Sequence, residues 1–204
     1  MKFLDRVQLY SLLECISSAV DMVSYEITNH QIQVAYLAYR LAERMGWPED
    51  ELSDVLIAGM LHDIGALSIQ EKLAIIENES EMVHLHSFRG AKLLGGHPLM
   101  NGKAELIRYH HLPWNNGEGV SYRGNSVPRG SHLLHLADRI CAQVRKNEPV
   151  LHQIPGIMAY IRENAGSAFC PEFVDAALEI QRVEHIWLEM IEKDPLDHIP
   201  RSVL

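Results

Sequence analysis

The chain has 204 residues, 47% of them hydrophobic and 22% charged, enough for one good core or one domain plus an appendage and too apolar for a disordered polymer. Its net charge of −9 excludes a surface built to coat a nucleic-acid polymer, because phosphate contacts need Lys and Arg, though local cations could still collect a small phosphate ester. No run of about 18 apolar residues occurs, so no membrane span is expected.

Apolar residues recur at three- and four-residue spacing nearly everywhere, with no alternating strand pattern, so an all-α helical bundle is expected. Leu4, Val7, Leu12, Leu13, Ile16, Val20 and Val23 mark a first helix within residues 1–25, suited to packing or to a homodimer contact. This opening stretch carries Asp5 and Glu14 and lacks the compact apolar block of a signal peptide. Ile32, Val34, Ala35, Leu37, Ala38, Leu41 and Met45 form a second helix, ended by Gly46 and Pro48. Glu49 to about Leu61 forms a third, and further helices are expected near 69–77, 86–95, 101–111, 130–146, 154–164 and 171–192. Residues 112–129, LPWNNGEGVSYRGNSVPR, read as one long loop, of the kind that is usually functional or mobile. The main domain is taken as 26–192, with 193–204 as a C-terminal tail. Cys15, Cys141 and Cys170 are widely spaced and odd in number, which suits reduced thiols in the cytoplasm, and Cys141 reads as core filler.

The twelve histidines cluster in the middle third. In AGMLHDIGAL, residues 58–67, His62 and Asp63 sit among small and apolar residues, which is costly unless each finds a partner. In chain order the candidate ligands are Glu26, His30, His62, Asp63, His86, His110, His111 and Asp138. Glu26 and His30 are four apart, one above the other on a helix that starts early enough. Adjacent His62 and Asp63 diverge by about 100° on a helix and can reach neighbouring ion positions; His110 and His111 repeat that arrangement. Taken singly, each has a structural alternative: a histidine at a helix end is a cap or a bonded core residue, and Asp138 pairs with Arg139 or Arg145. The joint pattern favours a divalent metal as the common partner, with mixed N and O donors suiting Fe or Mn better than Zn. His84, His97, His132, His135, His152, His185 and His198 read as structural or surface residues.

The ordered series resembles the HD superfamily of metal-dependent phosphohydrolases and, within it, the HD-GYP family. The resemblance runs from EITNHQIQVAYLAYRLAERMG through LHDIG, HSFRGAKLL, RYHH and VPRGSHLLHLADRI to AGSAFCPEFVDAALEI, about residues 26–182. His86, followed four residues later by Gly90, is thereby selected over His84. It implies an HD-type bundle, His62–Asp63 as the catalytic pair, and two or three divalent ions, with Glu26 toward a third. Asp63 would bridge, His30, His62 and Asp138 would complete one ion, and His86, His110 and His111 the next. It further implies hydrolysis of cyclic di-GMP or a related cyclic dinucleotide by metal-activated water.

Three departures bear on the substrate. Ala66 stands where the family has Lys after HDIG, WNNGEGVSY replaces the Gly-Tyr-Pro loop, and Cys141 replaces an acid after Asp138. Phosphate binding would then fall to Arg89, Arg123, Arg139, Arg145 or Lys146. The alternatives are a catalytically silent metal-binding sensor or interaction domain, and a phosphohydrolase acting on another nucleotide.

Overall fold

The organising element is a helix buried along nearly its whole length, polar residues at its start included. This is α2 (His30–Arg44), whose Val34, Ala35, Tyr36, Leu37, Ala38 and Leu41 are all inaccessible to solvent. The structure is a computed structural model describing residues 3–21, 28–66, 68, 70–71 and 84–203. Around α2 lie α1 (Phe3–Asp21), α3 (Glu49–Leu61), α4 (His84–Leu94), α5 (Asn101–Arg108), α6 (Arg129–Ala142), α7 (Val150–Glu163), α8 (Pro171–Ile180) and α9 (Glu184–Met190). Among the described residues the fold is all-α apart from a two-residue ladder, β1 (Ser121–Tyr122) with β2 (Asn125–Ser126), and a bridge between Ala165 and Phe169.

Two glycine contacts set how the helices meet. A Cβ on Gly59 of α3 would lie 2.5 Å from the Cα of Ala35 in α2, so these helices cross closer than alanine permits. That crossing brings the end of α3 beside the start of α2, with the His30 and His62 rings 5.4 Å apart. A Cβ on Gly65 would lie 2.0 Å from the His86 carbonyl oxygen and 2.4 Å from the Gly90 nitrogen. The turn after His62–Asp63 therefore presses directly on α4, and α4 carries His86.

α1 buries Tyr10, Leu13 and Ser17 against the bundle. The Tyr10 hydroxyl donates to the Val203 carbonyl at 3.0 Å, so chain residues from both ends meet on this side. The segment after α9 packs back through Leu196, Ile199 and Val203, and Arg40 of α2 clasps it by donating to Glu189 at 2.8 Å and to the His198 carbonyl at 3.3 Å.

Several boundaries differ from the sequence expectation. The span 171–192 is broken at 181–183, which turns α9 so that the buried Trp187 indole donates to the Ile180 carbonyl at 3.1 Å. α6 ends at Ala142 instead of 146, and α7 starts at Val150, immediately after Pro149. The long loop contains a 3-10 turn at Asn115–Val120 and the short hairpin, whose turn residues Arg123 and Gly124 have φ of 49° and 81°. Two positive-φ residues in a two-residue loop suit hairpin twist, and strands this short leave no alternation to read. The expected helix near 69–77 lies outside the described residues except at 70–71.

Candidate metal centre

His62 and His110 use the same device. Each follows the end of a helix, α3 or α5, where backbone carbonyls lack an onward N–H partner. His62 Nδ1 is 2.8 Å from the Gly59 carbonyl and His110 Nδ1 is 2.7 Å from the Ile107 carbonyl. A carbonyl can only accept, so in both rings Nδ1 carries a proton, and in the neutral form Nε2 keeps its lone pair. Both Nε2 atoms are buried with no hydrogen-bond partner, and both face carboxylates. His62 Nε2 is 3.6 Å from Asp63 Oδ2, and His110 Nε2 is 4.0 Å from Asp63 Oδ1.

Asp63 thus addresses two sides with two oxygens. Oδ1 also meets His86 Nε2 at 3.0 Å, and His86 Nε2 is 3.1 Å from His111 Nε2. On the other side, His62 Nε2 is 3.8 Å from Asp138 Oδ1, which lies 3.0 Å from His30 Nε2. The donors form two groups, Asp63–His86–His110–His111 and His30–His62–Asp138, each with its ligand atoms within 4.8 Å of one another. All seven side chains are buried, none more than 6% exposed. The structure therefore brings together seven of the eight candidate ligands; Glu26 lies outside the described residues.

Burial pushes the Asp63 carboxyl up, but His62 and the contact from His86 outweigh it and hold the group well below the usual carboxylate range. Burial likewise opposes charge on Asp138, and Arg139, His30 and His62 overcome it. His110 is held neutral by burial first, then by His111, His62 and His86. Each buried polar atom left without a partner costs about 1–3 kcal/mol. A lone pair of His62 or His110 aimed at a carboxylate oxygen repels it unless a proton or a cation lies between. Five imidazoles, two of them with Nδ1 fixed by a carbonyl, two carboxylates and exclusion of bulk water form a donor set that fits divalent metal.

The candidate phosphate-binding cations separate by position. Arg139 is buried on Asp138, donating to Oδ2 from Nε at 3.2 Å and Nη2 at 2.8 Å. Arg89 pairs with Glu71, and Arg123 lies over the Tyr122 ring on the hairpin. Arg145 and Lys146 line a cavity of about 270 Å³ with Thr28, Asn29 and Gln33, at the start of the helix that presents His30. Lys146 Nζ donates to the Thr28 carbonyl at 2.8 Å, while Arg145 is largely exposed beside Glu148. Ala66 is buried.

Sequence reading missed the supports. Gly65 and Gly90 allow the turn and α4 to touch, and they stand too far apart in the chain for any local pattern to mark the contact. His132, buried in α6, donates from Nε2 to the Gly119 carbonyl at 3.2 Å and stacks edge-on with Trp114, so it holds the long loop. That loop also pairs its Trp114, Asn115 and Asn116 amides with the carbonyls of Ala168, Ser167 and Gly166.

A family model described as the HD domain matches residues 27–143, and the chain belongs to the HD domain family. Among characterised relatives, it is 33% identical over 135 residues to 3'3'-cGAMP-specific phosphodiesterase 1 of Vibrio cholerae, an alignment covering 66% of this chain and 31% of that protein. It is 26% identical over 184 residues to a cyclic di-GMP phosphodiesterase of Thermotoga maritima, covering 85% of this chain and 50% of that one. The chain thus spans half or less of the length of these two relatives. A solved structure of a cyclic GMP-AMP specific phosphodiesterase from Vibrio cholerae superposes with a TM-score of 0.70 at 16% identity, covering 94% of this chain and 54% of that one, a likeness of fold.

Proposed function

We propose that this chain is a metal-dependent phosphodiesterase domain that hydrolyses a cyclic dinucleotide, cyclic di-GMP or 3'3'-cGAMP, in the cytoplasm. The observation that carries it is the placement of Asp63, whose two oxygens face two separate groups of buried histidines. His30, His62 and Asp138 would hold one divalent ion and His86, His110 and His111 the other, with Asp63 shared. Iron or manganese suits the mixed N and O set, and Glu26 would reach toward a third ion.

When bound, two such ions supply the Lewis acidity that activates water and offsets charge developing on the phosphate. The side chains do the remaining work. Asp63, with an oxygen toward each group, would help to hold both ions. His62 and His110 spend their Nδ1 protons on backbone carbonyls, so they act as ligands and not as proton carriers. Lys146 and Arg145, beside Thr28–Asn29, would orient the phosphate where the HDIG-following position offers only Ala66. Among the described residues no helix is long and apolar enough to cross a membrane. A homodimer through α1 would use its exposed stripe, Ser11, Leu12, Cys15 and Ala19.

The test is product detection. Protein reconstituted with Fe(II) or Mn(II) is expected to open cyclic di-GMP or 3'3'-cGAMP to a linear dinucleotide, one water adding across one phosphodiester. The buried Ala66 favours a second reading, a metal-loaded sensor without turnover. Metal bound at full stoichiometry with no cleavage of either nucleotide would establish that reading; cleavage of some other phosphate ester alone would reassign the substrate.

A further inference from the structure

We propose that Arg139 is a positioning residue that restricts Asp138 to a single ligating oxygen and makes the His30–His62–Asp138 half the weaker, exchangeable ion position. This rests on the reading of the cluster as a metal centre.

Neighbouring side chains on a helix diverge by about 100°. Arg139 nevertheless folds back, 7% exposed, onto the carboxylate immediately before it in α6. Its Nε and Nη2 both take Oδ2, at 3.2 and 2.8 Å. Oδ1 is left to face the histidines, 3.0 Å from His30 Nε2 and 3.8 Å from His62 Nε2. A two-pronged guanidinium grip is directional and removes charge density from the carboxylate it holds. Asp63 is in the opposite situation: its oxygens meet the imidazoles of His62, His86 and His110, and no guanidinium or ammonium pairs with it among the described residues. Because Asp63 faces both groups, the halves differ in what stands beside it. One adds three imidazoles; the other adds two imidazoles and a carboxylate already engaged by a cation. That cation draws on the one ligand charge the Asp138 half does not share, and so weakens it.

Manganese titration of metal-free protein, followed by calorimetry and by the electron paramagnetic resonance of free Mn(II), reads the two affinities separately. Wild type is expected to show a tight and a weak class, with His30→Gln removing the weak class and His86→Gln the tight one. In Arg139→Gln the weak class should tighten by about tenfold or more, the scale on which partners of metal ligands act, while the tight class stays where it was. Arg139→Lys, which keeps the cation but not the fork, should tighten it less. A gain of affinity is a result that damaged packing does not produce. An unchanged or loosened weak class in both variants would overturn the role of Arg139 while leaving the metal centre intact. A wild-type protein that takes up no ion would overturn the metal-centre reading and this inference with it. Should Arg139→Gln fail to fold without metal, the Lys variant carries the same comparison.

Discussion

The floor of the candidate site and its proposed rim are built by different physics. On the floor, Gly59, Gly65 and Gly90 pull three helices into contact, and the rings of His62 and His110 are locked by carbonyls of their own helices. Every group there is buried, so each must be satisfied by a fixed partner or by an ion. At the rim, Arg145 is solvated beside Glu148, and Lys146 reaches across to Thr28 from the loop after α6. Such exposed contacts are individually weak and screened. A floor of this kind tolerates few substitutions, whereas the rim can be rebuilt. Ala66 and the loop WNNGEGVSY, alongside seven candidate ligands brought together, are what that asymmetry allows.

The largest effect should come from the atom pair that joins the two halves. Asp63→Ala is expected to remove both ions and abolish turnover, whereas His111→Ala should lower metal content less; elemental analysis of the purified variants checks both. Equal metal content in Asp63→Ala and wild type would break the bridging role. Next comes packing. A Cβ at Gly65 would sit 2.0 Å from the His86 carbonyl, so Gly65→Ala should cost about 3 kcal/mol or more in urea unfolding. Gly59→Ala, meeting Ala35 at 2.5 Å, should cost about 2 kcal/mol.

The floor should also respond to acid in a definite direction. His110 stays neutral when folded because burial, with His111, His62 and His86 beside it, lowers its pKa. The unfolded chain therefore binds a proton that the folded chain does not. The corresponding stability is present above the ordinary histidine value of about 6.5 and is lost as pH falls below it toward the lower folded value. Thermal melts of metal-free protein should accordingly drop between about pH 7 and about pH 5; a melting temperature that rises over this range would contradict the assignment. The smallest effects belong to the rim. Arg145→Ala and Lys146→Ala should raise KM a few-fold with metal content unchanged, the pattern of lost ground-state binding. A fall in metal content in either variant would move that residue from rim to floor.

Much of the floor was legible in the sequence because helical spacing and paired ligands leave local signatures: LHDIG and RYHH each place two donors just past a helix end. What was not legible depends on contacts far apart in the chain. The closeness of Gly65 to His86 and of Gly59 to Ala35 is tertiary, and neither glycine has a positive φ to mark it locally. Asp138 was read as either an ion ligand or a partner of Arg139, and the two prove compatible, because each uses a different oxygen. The rim was the least legible, since five cations were equivalent by composition and only the fold separates Arg145 and Lys146 from Arg139, Arg89 and Arg123.

Anomalous diffraction from crystals of the reconstituted protein, collected at the iron and manganese edges, is the most direct measurement. Two peaks are expected, with Asp63 between them, one against His86, His110 and His111 and the other against His30, His62 and Asp138. One peak lying away from Asp63, or no peak inside the cluster, would contradict a shared two-ion site.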